Sequence, residues 1–348
     1  MQFGRRCAMR LFRAPAPDSA LIAGIRPLRT SRAGPAAAPA VGEPAFRIPS
    51  MPIRPANGIE NPPAMIPGLD HIGIVGADLE AMEAAYARLG FTVAPRCELV
   101  ALAEDGSATP LGQVNSHLVF GRTYVELTAV EGDLETHHLR DAVARYYGFH
   151  IVVLTADDAD DARGRLIRSG IDAPPTALAG REVRYPGGRG MAGFRWFRVP
   201  DADLPDAFVC YVEQLTPDLV FDASLNDHPN GARDLQDILI CADDPAAAAA
   251  RFARASGAAV ATEPDGPGVE LAVGRARFLD TAALQRVFPG VAPPALPWAA
   301  GFTASCPDFA ATRRFFRDSD LPWQDGGDRL WFAPDHACGA IVAFAPPA

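Results

Sequence analysis

The sequence predicts an α+β protein of four βαβββ units arranged as two paired halves. Three observations predict it. A strand-then-helix pattern returns along the chain, strand-like segments rich in aromatic and β-branched residues follow each copy, and a Pro-, Asn-, Asp- and Gly-rich stretch separates the second copy from the third.

The first copy begins after Pro67 as GLDHIGIVGADLEAMEAAYARLGF, a short apolar run followed by an amphipathic helix that ends at Gly90. The second, GFHIVVLTADDADDARGRLIRSGI, starts at Gly148, and the third, LQDILICADDPAAAAARFARASGA, at Leu235. A weaker fourth copy, GFTASCPDFAATRRFFRDSDLPW, starts at Gly301. The interval from His71 to Gly90 is nearly that from His150 to Gly170, and Asp237 to Gly257 matches it. After each helix come strand-like segments: SHLVFG and RTYVELTAV, then GFRWFRV and AFVCYVEQL, then GVELAVG and ARFLDTA, then DRLWFAP and GAIVAFA. The units therefore start near residues 68, 147, 234 and 298, and PDLVFDASLNDHPNGARD marks the division between the halves.

The expected domains are a disordered or mis-started extension over 1–64, a first module pair over 65–228 and a second over 229–348. The first 50 residues hold eight Arg against Asp18 and Glu43, so they carry +6 while the rest carries -16. Their one apolar patch, Ala20 to Ile25, is too short for a secretory core, and Met51 or Met65 could serve as the start. The whole chain, 348 residues with a net charge of -10, is long enough for two cores and lacks the basic face that a nucleic acid or membrane surface would want. A small-molecule substrate and a monomer or homodimer are expected. All 32 basic residues are Arg, which excludes Schiff-base and lysine-base chemistry. Six scattered cysteines without a CxxC read as free thiols in a reducing compartment, the cytoplasm, and no run approaches the ~20 apolar residues of a membrane span.

His71 in the first strand and Glu126 in Tyr124-Val125-Glu126 are echoed by His150 and Glu213 in Tyr211-Val212-Glu213. Side chains alternate along a strand, so matched positions would aim one His and one Glu of each unit at the same face, and pairing would gather all four. That set suits one divalent ion, Zn, Ni, Fe, Mn or Co, and no cysteine falls at these positions. A buried glutamate needs compensation, which a metal provides for both.

At LDHIGIV, the helix ending RLGF, YVELTAV, GFHIVVL and YVEQLTP, the chain resembles the vicinal oxygen chelate superfamily that includes the glyoxalases, and most closely its glyoxalase-like members with two module pairs. The resemblance runs from about residue 67 to the end. It implies modules paired into two cupped mixed β-sheets, with metal ligands at His71, Glu126, His150 and Glu213, and with Glu213 as catalytic base and Glu126 its partner. The second half departs from the pattern: Asp237 stands for the histidine, Leu279 for the glutamate, and the fourth copy offers Gly301 or Phe302 and Val342 or Ala343. That half is expected to be a cover or substrate-shaping wall without a metal.

Other candidates are weaker. Asn115 and His117 share a strand face and could line the cup; Arg195 could pair a substrate anion beside Trp196; His228 in DHPNGA could fold over the site. Each has a plainer reading as a surface polar pair, a solvated strand face or turn chemistry. His137 and His138 are expected to face solvent, His336 and Cys338 to be incidental, and GGRG at Gly187 to Gly190 to be a plain loop. The expected activity is a metal-dependent, glyoxalase-like lyase or isomerase that forms an enediolate on a substrate with vicinal oxygens. An extradiol-type Fe(II) dioxygenase and a non-catalytic binding protein for a small molecule or antibiotic are the alternatives.

Overall fold

A computed structural model describes residues 65 to 348 apart from 104, 106, 186 and 187, and the described residues belong to one compact unit. The expectations for residues 1–64 lie outside it. The first module is β1 (Leu69–Gly76), α1 (Leu79–Arg88), β2 (Cys97–Leu102), β3 (Ala108–Val119) and β4 (Tyr124–Val130). A short α2 (Arg140–Val143) leads to the second module, β5 (Gly148–Thr155), α3 (Ala159–Arg168), β6 (Ala177–Tyr185), β7 (Gly188–Arg198) and β8 (Phe208–Gln214). After α4 (Pro217–Val220) come β9 (Asp234–Cys241), α5 (Pro245–Ser256), β10 (Val260–Glu263), β11 (Gly266–Glu270) and β12 (Arg275–Leu279). Then α6 (Thr281–Val287) precedes β13 (Trp298–Ser305), α7 (Phe309–Arg317), β14 (Gln324–Asp325), β15 (Leu330–Phe332) and β16 (Ile341–Ala345). Four βαβββ modules are thus present, as the repeat predicts. None of the helices among the described residues is long and apolar enough to cross a membrane.

Each module helix starts at an aspartate. Asp78, Asp158, Asp244 and Asp308 accept a hydrogen bond from the backbone N–H of Ala81, Asp161, Ala247 and Ala311, satisfying a donor that the first helical turn leaves open, for about 1 kcal/mol each. Eight residues ahead of each cap stands a bulge. The ladder between β1 and β5 skips Asp70 and His150, and that between β9 and β13 skips Gln236 and Ala300. Bulges re-aim side chains and increase local twist.

The module pairs do not close alike. In the first, the strands run β1-β4-β3-β2-β6-β7-β8-β5 into a closed barrel, because the two outer strands pair with each other, Leu99 opposite Arg181 and Ala101 opposite Ala179. The resemblance implied a cupped sheet, and here the β2–β6 ladder also joins its outer strands and removes both free edges. The second pair stays open in the order β10-β11-β12-β9-β13-β16-β15-β14. Its inner face is filled by its own chain: Leu284 on α6 and the following Phe288 pack with Leu239, Leu279, Trp298 and Trp331.

One continuous apolar core joins the halves through their helix-bearing outer faces, from Ile72, Ile74 and Tyr86 to Ile238, Phe252 and Phe344. Two hydroxyls cross it. Tyr86 on α1 donates to the Ala337 carbonyl at 3.1 Å, and Tyr211 on β8 donates to the Ala255 carbonyl at 2.8 Å. Arg251 on α5 grips the buried Asp206 with two hydrogen bonds of 2.8 and 3.0 Å.

Candidate active site inside the barrel

The barrel interior follows from alternation. On β1 and β4, His71, Val75, Tyr124, Glu126 and Thr128 point inward; on β5 and β8, Ile151, Val153, Phe208, Cys210 and Val212 do. They enclose a cavity of about 110 Å³, room for a few waters or a small organic molecule. Its wall is apolar along Ile151, Val153, Phe194, Trp196 and Phe208, and polar along His71, Gln113, Glu126 and Arg181. At the far end Phe221, just after α4, lies 6.0 Å from the Tyr124 ring. At the near end His138, exposed to solvent as its sequence context suggests, also lines the cavity, 5.8 Å from the Phe208 ring.

Three polar groups define the chemistry. His71 donates from Nδ1 to Asp70 Oδ1 at 2.6 Å, and Gln214 Nε2 donates to the same oxygen at 3.0 Å, fixing the carboxylate from its other side. A carboxylate at Nδ1 sets the tautomer and leaves Nε2 as the basic lone pair. The His71 ring stacks on Tyr124 with centroids 4.2 Å apart, which fixes its plane. On the neighbouring strand, Glu126 accepts from the Thr128 hydroxyl at 2.6 Å, and its Oε2 lies 3.7 Å from His117 Nε2, too long for a hydrogen bond. Burial alone would raise the Glu126 pKa, but the imidazoles of His117 and His71 and the Thr128 hydroxyl outweigh it and hold the carboxyl at about 2. Burial, together with Arg181, pushes His117 down to about 4.

Arg181 is the third group, and nothing in its sequence context marks it. It lies at 3% exposure on β6, and it makes one long hydrogen bond, from Nη1 to the Tyr124 hydroxyl at 3.4 Å. Its Nε has no partner, nor have His117 Nε2, Gln113 Oε1 and Asn115 Nδ2 around the same interior.

The expected four-ligand set does not assemble. His150 is the bulged residue of β5; its ring stacks on Tyr146 at 4.1 Å, and its Nε2 donates to the Tyr146 carbonyl at 2.8 Å, away from the cavity. Glu213 lies on the outer face of β8, where it accepts from the backbone N–H of Ala159 in the first turn of α3 at 3.0 Å. Register is the cause. Counted from the helix caps, His71 stands seven residues before Asp78, and the residue seven before Asp158 is Ile151, while His150 matches Asp70. Gly73 pairs with Glu126 on β4 and its counterpart Val153 pairs with Cys210 on β8, so a cysteine does occupy the second glutamate's place. One residue of slip sends a strand side chain to the opposite face. His71 and Glu126 remain together in the barrel.

The implied metal was tested against this geometry. Two of its four donors face outward, and no three His, Cys, Asp or Glu side chains among the described residues converge to hold an ion. The residues present do not fit the expected site.

The weaker candidates divide. Asn115 and His117 are buried inside the barrel, and Trp196 lines the cavity. Arg195 faces outward and pairs with Asp160 of α3 at 2.9 Å. His228 is a pin, not a cap: its Nδ1 accepts from Thr92 N at 3.0 Å and its Nε2 donates to the Val119 carbonyl at 3.0 Å, between the rings of Phe91 and Phe120. In the second half, Asp237 takes the histidine's place as expected and is held by Arg275 at 2.8 Å; the glutamate's place falls on Arg277, not Leu279. In the fourth module the same places are Gly301 and Ala343. The five described cysteines are free, and burial raises the thiols of Cys97, to about 11, and of Cys210, so neither is a nucleophile at neutral pH.

The family model of the glyoxalase-like domain matches residues 69–256, both modules of the barrel and the start of the third. The chain belongs to that family. Among solved structures, this glyoxalase-like chain superposes on a hypothetical protein from Staphylococcus aureus with a TM-score of 0.55 at 10% identity, covering 81% of this chain and 100% of the other. That likeness shows a shared fold. A mutant 4-hydroxymandelate synthase from Streptomyces coelicolor gives 0.49 at 11% identity over 81% and 93% of the chains, and methylmalonyl-CoA epimerase from Mycobacterium tuberculosis gives 0.30 at 21% over 44% and 91%. No curated protein matches the glyoxalase-like chain.

Proposed function

We propose that the chain is a glyoxalase-like lyase or isomerase that moves a proton on a small oxygenated substrate held inside the barrel, with His71 Nε2 as the base. The observation that carries this reading is the Asp70–His71 pair, 2.6 Å apart and facing the cavity. A base must be held at one nitrogen to present the other, and Asp70, itself fixed by Gln214, provides both the orientation and a counter-charge for the imidazolium that forms. Glu126, kept ionised on the neighbouring strand β4, is a second fixed anion in the chamber. The apolar wall of Ile151, Val153, Phe194, Trp196 and Phe208 limits the water around the reacting carbon.

Solvent exchange tests it. The protein is incubated in D₂O with a panel of 2-oxo and 2-hydroxy compounds, and deuterium entering at the carbon beside the oxygen is followed by NMR. Exchange by the wild type that disappears in His71→Asn supports the reading; equal exchange by both removes His71. Consumption of dissolved oxygen instead would move the chain to the dioxygenase class.

A further inference from the structure

A buried guanidinium without a counter-ion is a costly feature, and the barrel contains one. Arg181 cannot shed its proton, is almost wholly removed from solvent, and among the described residues has no carboxylate within ion-pairing distance. The one carboxylate of the cavity wall, Glu126, is engaged elsewhere, by Thr128 and beside His117. Among the described residues Arg181 is also the only arginine lining the cavity, and its Nε is unpartnered, with Gln113 Oε1 another unpaired polar atom of the same wall.

We propose that the barrel binds a small monocarboxylate, its carboxylate on Arg181 and its carbon body against Phe194, Trp196 and Phe208. This rests on the reading of the barrel as the active site and names the class of molecule it takes. The guanidinium fork matches a carboxylate in two parallel hydrogen bonds. One cation facing one fixed anion, Glu126, favours a ligand with a single negative charge; a phosphate dianion would meet one attraction and a full repulsion in the same space. The remaining wall is hydrocarbon, and about 110 Å³ admits a short or branched chain.

The test reads binding, so it stands apart from turnover. Isobutyrate, 3-methyl-2-oxobutyrate, the neutral isobutyramide and inorganic phosphate are titrated into the full-length protein by calorimetry and by the fluorescence of Trp196. The carboxylates are expected to bind at least tenfold more tightly than the amide, and phosphate not to bind. Arg181→Gln is expected to weaken the carboxylates by about a hundredfold, the usual outcome of removing one partner of a buried charge pair. Equal affinity for acid and amide, preference for phosphate, absence of carboxylate binding, or unchanged affinity in Arg181→Gln would each overturn the proposal. If Arg181→Gln does not fold, the acid-to-amide ratio in the wild type still decides it. Carboxylate binding that depends on Arg181, with deuterium exchange unaffected by His71→Asn, would leave this inference standing and remove the proposed base; the reverse pattern would do the opposite.

Discussion

Asp70 and His150 occupy the same place in their modules: each is the extra residue of a bulge where β1 runs against β5, eight residues ahead of the aspartate that caps its helix. Asp70 turns toward His71 and the barrel; His150 turns onto Tyr146. The two sites therefore have different work, and substitution should separate them.

His71→Asn and Asp70→Asn are expected to lower proton exchange by about 100 to 10,000-fold and at least tenfold, respectively, since the first removes the base and the second its orientation. His150→Ala and Glu213→Gln are expected to leave exchange within a few-fold of wild type. The solvent-deuterium assay checks all four, and loss of exchange in Glu213→Gln with full folding would return the catalytic role to the outer face.

The cost of His150→Ala should appear in stability. It removes a stacked ring and a hydrogen bond to the half-buried Tyr146 carbonyl, for about 2 to 3 kcal/mol. Denaturant titration measures it; a change below about 0.5 kcal/mol would show that the Tyr146 contact contributes nothing.

Acid should weaken the fold well above the carboxylate range. Burial pushes His117, His150 and His228 from 6.5 down to about 4. Between those values the unfolded chain binds protons that the folded chain refuses, so stability is complete above pH 6.5 and falls as the pH drops toward 4. Each group accounts for up to about 3 kcal/mol over that window. Denaturation midpoints at pH 7.5, 5.5 and 4.5 should decline in order, and a flat profile would contradict the burial of these rings.

Tyr211→Phe and Tyr86→Phe are each expected to cost about 1 kcal/mol, because each leaves a carbonyl between the halves without its donor. Gly301→Ala should cost more, about 3 kcal/mol or failure to fold, since an added Cβ would fall on the Ile341 carbonyl oxygen. Melting curves check both, and a tolerated Gly301→Ala would show that the fourth module could have carried a histidine there.

The modules were legible because their signals are local. An aspartate before an alanine-rich helix, an apolar run before it and aromatic strands after it recur, and each became the element expected. The face of each strand was not legible, for two physical reasons. The first is that α1 and α3 have the same length and end at Gly90 and Gly170, each twelve residues past its capping aspartate, so the one-residue difference between His71–Gly90 and His150–Gly170 is the slip itself, small enough to pass for a variable turn. The second is that a bulge shifts alternation by one residue with no mark in the sequence. Tyr124-Val125-Glu126 and Tyr211-Val212-Glu213 read alike, but strand pairing sets Glu126 level with Cys210, an odd number of positions from Glu213. In its outward register the second tripeptide serves packing: Tyr211 holds α5 and Glu213 holds the start of α3. Arg181 is one of many arginines, and only the β2–β6 ladder that turns it inward distinguishes it.

That same ladder governs how this protein can meet others of its kind. A wall hydrogen-bonded all the way round offers no strand edge for a second chain to extend, so molecules reach its interior only along the axis. The exposed ladder ends lie in the other half, at β10, where Val260 is open to solvent, and at the two-residue β14. If copies of the chain associate by strand addition, it is there, in the half without the barrel, and the cavity is left undisturbed.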